Sequence, residues 1–128
     1  MIPGPLFVGI DLGTSGCRAL AIDGDLQPIA AATVSLTAPP RRDACSEQDA
    51  EAWWDAVDKV MAQLTGQIDP AAIDAITVDG TSGSIVLCDT QGTPVMPALL
   101  YNDARAGNEA VHRHWLRIPE PSVARAIC

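Results

Sequence analysis

The segment Gly9-Ile10-Asp11-Leu12-Gly13-Thr14-Ser15-Gly16-Cys17-Arg18 constrains this chain more than any other. An apolar run, Leu6-Phe7-Val8-Gly9-Ile10, delivers a carboxylate, and two glycines then bracket two hydroxyls. Cys17-Arg18-Ala19-Leu20-Ala21-Ile22-Asp23 resumes extended character at once, with Leu20 and Ile22 on the same side. Two strands joined by a tight polar turn make a hairpin, and a hairpin excludes two common phosphate folds. A dinucleotide fingerprint requires a helix directly after its glycine loop. A Walker P-loop requires Gly-Lys-Ser/Thr, and the single lysine of this chain is Lys59. The residues support a turn whose backbone N–H groups and Thr14 and Ser15 hydroxyls line an anion site, with glycines supplying the positive φ such a nest requires. Asp11, at the strand end, is placed to hold Mg²⁺ through water, because that ion takes few carboxylates and keeps several waters. On spacing alone, an ordinary glycine-containing hairpin is the alternative.

At 128 residues and 48% hydrophobic content the chain is of single-domain size, with enough apolar material for a core. A net charge of −8, with no basic cluster beyond Arg41-Arg42, argues against a nucleic-acid partner. Cys17, Cys45, Cys88 and Cys128 are widely spaced and lack flanking histidines, so neither a zinc site nor a redox pair is expected. Reduced thiols are expected instead. The first residues lack the basic and apolar regions of a signal peptide, and no run approaches the roughly 18 apolar residues of a membrane span. The expectation is a cytoplasmic protein with no membrane contact.

Downstream, Pro28 to Leu36 reads as a third strand, with Ile29, Val34 and Leu36 as its apolar positions. Thr37 to Cys45 is a loop whose arginine pair is solvated. Ser46 or Asp49 caps a helix in which Trp53, Val57, Val60, Met61 and Leu64 form one core-facing stripe, ending near Gly66. Trp54 is expected to pack over the edge of that helix. Ala75 to Val78 is a short strand ending in Asp79-Gly80-Thr81-Ser82-Gly83. Ile85 to Cys88 reads as a further strand, Asp89 to Thr93 as its turn, and Pro94 to Pro97 as irregular. Asp79, Thr81 and Ser82 stand at a strand-to-loop junction, and Asp103 can accept from two adjacent hydroxyls, a geometry polyols satisfy. Taken alone, Asp103-Ala104-Arg105 also fits a helix cap with a surface ion pair.

Gly9 to Arg18 resembles the first phosphate motif of the superfamily of sugar kinases, Hsp70 and actin, and within it the FGGY carbohydrate kinases. Ala75 to Ser84, Asp89 to Pro94 and Tyr101 to Ala106 resemble that family's N-terminal sugar-site segments, and Ser46 to Asp49 with Trp53-Trp54 resembles the helix between the first motif and these segments. The likeness covers residues 1–106, the N-terminal part of the family's first domain. Residues 107–128, with His112-Arg113-His114-Trp115 and Ile118-Pro119-Glu120-Pro121, form a tail departing from the pattern, where the two histidines read as surface residues.

The resemblance implies an α/β fold with a ribonuclease-H-like core, present as an N-terminal fragment. It implies ATP-dependent phosphorylation of a sugar hydroxyl. Because Gly80-Thr81-Ser82 is similar to the ribulose-type kinases, the substrate implied is a pentulose such as ribulose or xylulose. ATP and Mg²⁺ are the implied cofactors, with Asp11, Gly13, Thr14, Ser15, Gly16 and Arg18 at the nucleotide and Asp11 at the metal. Asp79, Gly80, Thr81, Ser82, Asp103 and Arg105 are the implied sugar contacts. The family's general-base aspartate falls beyond Cys128, so no catalytic residue is assigned and the chain alone is expected to be inactive. An apolar face left for a missing lobe would favour self-association. The rival is a nucleotide-binding regulatory domain of the actin and Hsp70 type, which has no use for the sugar-site segments.

Overall fold

The computed structural model describes residues 4–38 and 42–107. Arg41, the histidine pair and the whole 108–128 stretch, to which most of the expected divergent tail belongs, lie outside the described residues. Among those described, 4–38 and 51–81 make one compact unit, and 42–50 and 82–107 a second.

The first unit is built on a four-stranded sheet. Strand β1 (Leu6–Leu12) pairs antiparallel with β2 (Gly16–Ile22), and β2 antiparallel with β3 (Pro28–Ser35). The hairpin expected from the sequence is therefore present, closed by the Gly13 N–H donating to the Gly16 carbonyl at 2.9 Å. After β3 the chain runs through a two-residue strand, β4 (Glu47–Gln48), into helix α1 (Ala50–Thr65). A single 3₁₀ turn (Pro70–Ala72) follows, capped by the Asp69 carboxylate on the Ala71 N–H at 3.0 Å. The chain then returns as β5 (Ile73–Gly80), parallel to β1, giving the strand order β3-β2-β1-β5.

The helix stripe does face the core, although Trp53 and Val57 are only partly buried and the closest packing is made by Ala56, Val60 and Leu64. They meet Val8, Ile10, Cys17, Ala19, Ala21 and Ala32 of the sheet. Alanines carry much of that surface because small side chains let a helix lie close to the strands. Leu20 and Ile29, by contrast, are exposed, and neither is among the side chains that pack with α1. Trp54 is 66% exposed and covers no helix edge. The Gln67 amide ties the helix exit to the sheet, donating to the Ala31 carbonyl at 3.1 Å.

In the second unit β4 pairs antiparallel with β6 (Ala98–Leu99). Ile85 to Cys88 was expected as a strand and forms only isolated bridges, Ile85 with Leu99 and Cys88 with Pro94. Gly83 turns the chain at φ +81°, and Pro94 and Pro97 offer no N–H, so no ladder propagates. The turn at Asp89 to Thr93 is present: the Asp89 carboxylate accepts from the Gln91 and Thr93 N–H groups, both at 2.9 Å. Asp23 does the same for Asp25 and Gln27 in the β2–β3 loop.

Candidate functional site

Asp11, the Gly13–Gly16 turn and Arg18 lie together at the carboxyl end of β1. Asp11 is the register partner of Arg18 on β2 and of Asp79 on β5, so these three side chains stand in one row across adjacent strands. In such a ladder neighbouring Cα atoms are roughly 5 Å apart and their side chains share a face. Arg18 Nη1 lies 3.4 Å from Asp11 Oδ2, a single long contact between side chains that are 56% and 59% exposed. A guanidinium has five N–H donors, so this contact leaves most of its capacity unspent.

The loop owes its shape to the backbone rather than to left-handed glycines. Neither Gly13 nor Gly16 adopts positive φ; among the described glycines only Gly83 and Gly92 do, so the nest geometry expected from the sequence is absent. Gly16 is required for another reason, because a Cβ there would sit 2.7 Å from the Val34 carbonyl oxygen of β3. The Leu36 N–H donates to the Ser15 carbonyl at 2.9 Å, fixing the turn from the same strand exit. Beneath it Cys17 is fully buried, and burial, helped by Asp11 and opposed by Arg18, pushes its thiol pKa up.

β5 delivers the second polar loop to the same sheet end. Gly80 pairs with Leu12, and the Thr81 N–H donates to the Leu12 carbonyl at 3.3 Å. A Cβ on Gly80 would meet that oxygen at 3.2 Å, so the close approach of the two strand ends favours glycine. The Asp79 carboxylate accepts from the Gly80 N–H at 2.8 Å. Asp11, with Asp79 beside it, supplies hard oxygen donors that suit a magnesium ion retaining its waters. Among the described residues no group of three or more His, Cys, Asp or Glu side chains is gathered for a metal.

Asp103 and Arg105 stand in the second unit and are engaged there. Asp103 Oδ2 accepts from the Ser46 N–H at 2.8 Å, and Oδ1 from the Arg105 N–H at 3.1 Å. Arg105 Nε reaches both oxygens, at 2.8 and 3.0 Å, and Nη2 reaches Oδ2 at 2.7 Å. Nη2 also meets Glu47 Oε1 at 2.7 Å. The Arg105 guanidinium first, and the Ser46 amide second, hold the Asp103 carboxyl well below the usual carboxylate range, and Asp103 in turn raises the Arg105 pKa. The sequence does not single out Glu47, and it offers Ser46 only as one of two helix caps, with Asp49. Ser46 and Asp103 are 57 positions apart, and no local pattern announces such a pairing.

Residues 6–122 match the model of the FGGY family of carbohydrate kinases, N-terminal domain. The xylulose kinase of Escherichia coli (strain K12) is 34% identical over 118 residues, 92% of this chain and 24% of that protein. The xylulose kinase of Streptomyces coelicolor is 36% identical over 110 residues, 84% of this chain and 22% of that one. Among solved structures, a xylulose kinase from Brucella ovis aligns with a TM-score of 0.77 at 33% identity, over 83% of this chain and 23% of its own. Plasmodium falciparum glycerol kinase with ADP shares the fold at a TM-score of 0.70 and 12% identity, over 85% of this chain and 22% of its own. The chain thus spans less than a quarter of the length of these curated relatives. The shared architecture is the ribonuclease-H-like core of actin, Hsp70 and the sugar kinases, here as its N-terminal portion. With the family model covering nearly all of its length, the chain belongs to the FGGY family of carbohydrate kinases.

Proposed function

We propose that this chain is the N-terminal part of a cytoplasmic kinase that phosphorylates a hydroxyl of a pentulose such as ribulose or xylulose, using ATP and Mg²⁺. The observation that carries the proposal is the parallel register of β1 and β5, which sets the Gly13 to Gly16 turn and the Asp79-Gly80-Thr81 segment at one sheet end. Ligands of α/β sheets bind beyond the carboxyl ends of the strands. Xylulose kinases among the relatives support the substrate class. No helix among the described residues is long and apolar enough to cross a membrane.

In this reading Thr14 and Ser15 donate to phosphate oxygens, and Arg18 swings its unspent N–H groups toward the transferred phosphoryl. Asp11 would hold a magnesium ion through water, while Asp79, Thr81 and Ser82 orient the sugar hydroxyls. Mg-nucleotide, when bound, supplies the phosphoryl group and the charge neutralisation its transfer needs. Asp11 and Asp79 orient groups already present in the ground state and abstract no proton. Because the chain matches less than a quarter of the length of its relatives, we expect it alone to turn over no ATP in response to sugar.

Amide chemical-shift mapping of the 128-residue chain tests the proposal. Mg-ATP should move the signals of residues 13–16, and ribulose or xylulose those of 80–82, with Asp11→Asn suppressing the first set. Absence of both responses at millimolar ligand would overturn it.

A further inference from the structure

We infer that Asp103 is a positioning residue and not a sugar ligand: with Arg105 and Glu47 it clamps the turn at Tyr101-Asn102 onto the 44–47 segment, and through that turn it sets the loop at Gly83. The sugar arm of this inference rests on the pentulose-kinase reading.

The carboxylate is already fully used. An ionised carboxylate offers about four acceptor positions, and here Ser46 N, Arg105 N, Arg105 Nε and Arg105 Nη2 occupy them. Its side chain is only 7% exposed. A sugar hydroxyl would have to displace a charged donor to be accepted, and a charge-assisted bond is about twice as strong as a neutral one.

The same carboxylate completes a ladder that the backbone cannot finish. β4 and β6 pair through Glu47–Leu99 and Gln48–Ala98, and the Leu100 N–H donates to the Ser46 carbonyl at 2.9 Å. Beyond Leu100 the chain turns, with the Asp103 N–H on the Leu100 carbonyl at 2.9 Å, so no carbonyl of that strand faces the Ser46 N–H. Asp103 Oδ2 takes that place, and one residue later the Ala104 N–H regains the backbone pattern on the Ala44 carbonyl at 2.8 Å. The clamped turn carries Tyr101, whose Cβ lies 3.3 Å from where a Gly83 Cβ would be. Gly83 holds φ at +81°, so the turn and the loop beginning at Ser82 are set against each other.

Amide hydrogen exchange and sugar titration on the 128-residue chain, run in parallel on Asp103→Ala, Asp103→Asn and Glu47→Gln, test the inference. Asp103→Ala should speed exchange at Ser46 and Ala104 by about tenfold or more, the loss of a charge-assisted acceptor. It should weaken the response of Ser82 and Gly83 to ribulose or xylulose in step. Asp103→Asn keeps an oxygen for the Ser46 N–H and should restore much of both. Glu47→Gln, at a partly exposed position, should loosen the clamp by less and serves should the alanine variant fail to fold. Unchanged exchange in both Asp103→Ala and Glu47→Gln would overturn the clamp. Full protection in Asp103→Asn with sugar response abolished would make the carboxylate a direct ligand and overturn the positioning role. If the wild-type chain ignores both sugars while the exchange pattern holds, the pentulose part of the reading fails and the clamp stands.

Discussion

Arg18–Asp11 and Arg105–Asp103 are ion pairs of the same two residue types, put to opposite uses. In the first, strands β1 and β2 carry the geometry, and the side chains meet at one 3.4 Å contact with more than half of each exposed. In the second, the side chains carry the geometry: Arg105 Nη2 reaches both Asp103 and Glu47 at 2.7 Å, and an Asp103 oxygen stands in for a missing backbone acceptor. Where a backbone ladder already holds the loop, the charged groups stay largely uncommitted, as the proposed phosphate and metal roles require. Where the chain turns too soon for a ladder, the charged groups are consumed in building the fold.

The comparison can be attacked first at Gly16. Its replacement by Val puts a branched side chain where the first atom alone would be 2.7 Å from the Val34 carbonyl. Overpacking of this kind costs about 1–3 kcal/mol. A urea midpoint lowered with unchanged slope is the expected result, and an unaltered midpoint would show that backbone approach does not hold this loop.

Acid provides the next test, and it acts on the second pair. The Asp103 carboxyl is held below its unfolded value of about 3.9, so its contribution is present above that pH and lost as pH falls through the folded value. Between pH 5 and pH 2 the stability advantage of the wild-type chain over Asp103→Asn should shrink. A constant difference across that range would mean that the carboxylate is not the clamp's charge.

The smallest effect belongs to Arg18. Its removal as Arg18→Ala should alter stability by no more than about 0.5 kcal/mol, as for an exposed ion pair, while weakening the Mg-ATP response of residues 13–16. A large loss of stability would erase the distinction between the two pairs.

Much of the first unit was legible because its signals are local. The apolar run to Ile10, the polar turn and the resumed strand specify a hairpin whichever way the sheet is later covered. The stripe through Val60 and Leu64 specifies a helix, and Gly66 marks its end. The face that α1 covers was not legible. Leu20 and Ala19 alternate on β2, and hydrophobicity alone favours Leu20 for the interior, yet Ala19 is buried and Leu20 exposed. Ile76 and Val78 of β5 are likewise exposed among the described residues. Glycine was legible as a requirement but not as a mechanism: Gly16 answers to the neighbouring strand, and the positive φ falls at Gly83 and Gly92.

By itself, the order of residues determined the elements of the hairpin, the helix and the polar loops, since turns, caps and periodicity are set by neighbours a few positions apart. It also carried the family, through motifs that are contiguous in the chain. Only the tertiary structure decided that Asp11, Arg18 and Asp79 share one row, and that the oxygens of Asp103 go to Ser46 and Arg105. A hydrogen bond between residues 57 positions apart depends on where two strands meet in space, and a carboxylate has the same chemistry in a sequence whether its acceptor sites are free or spent.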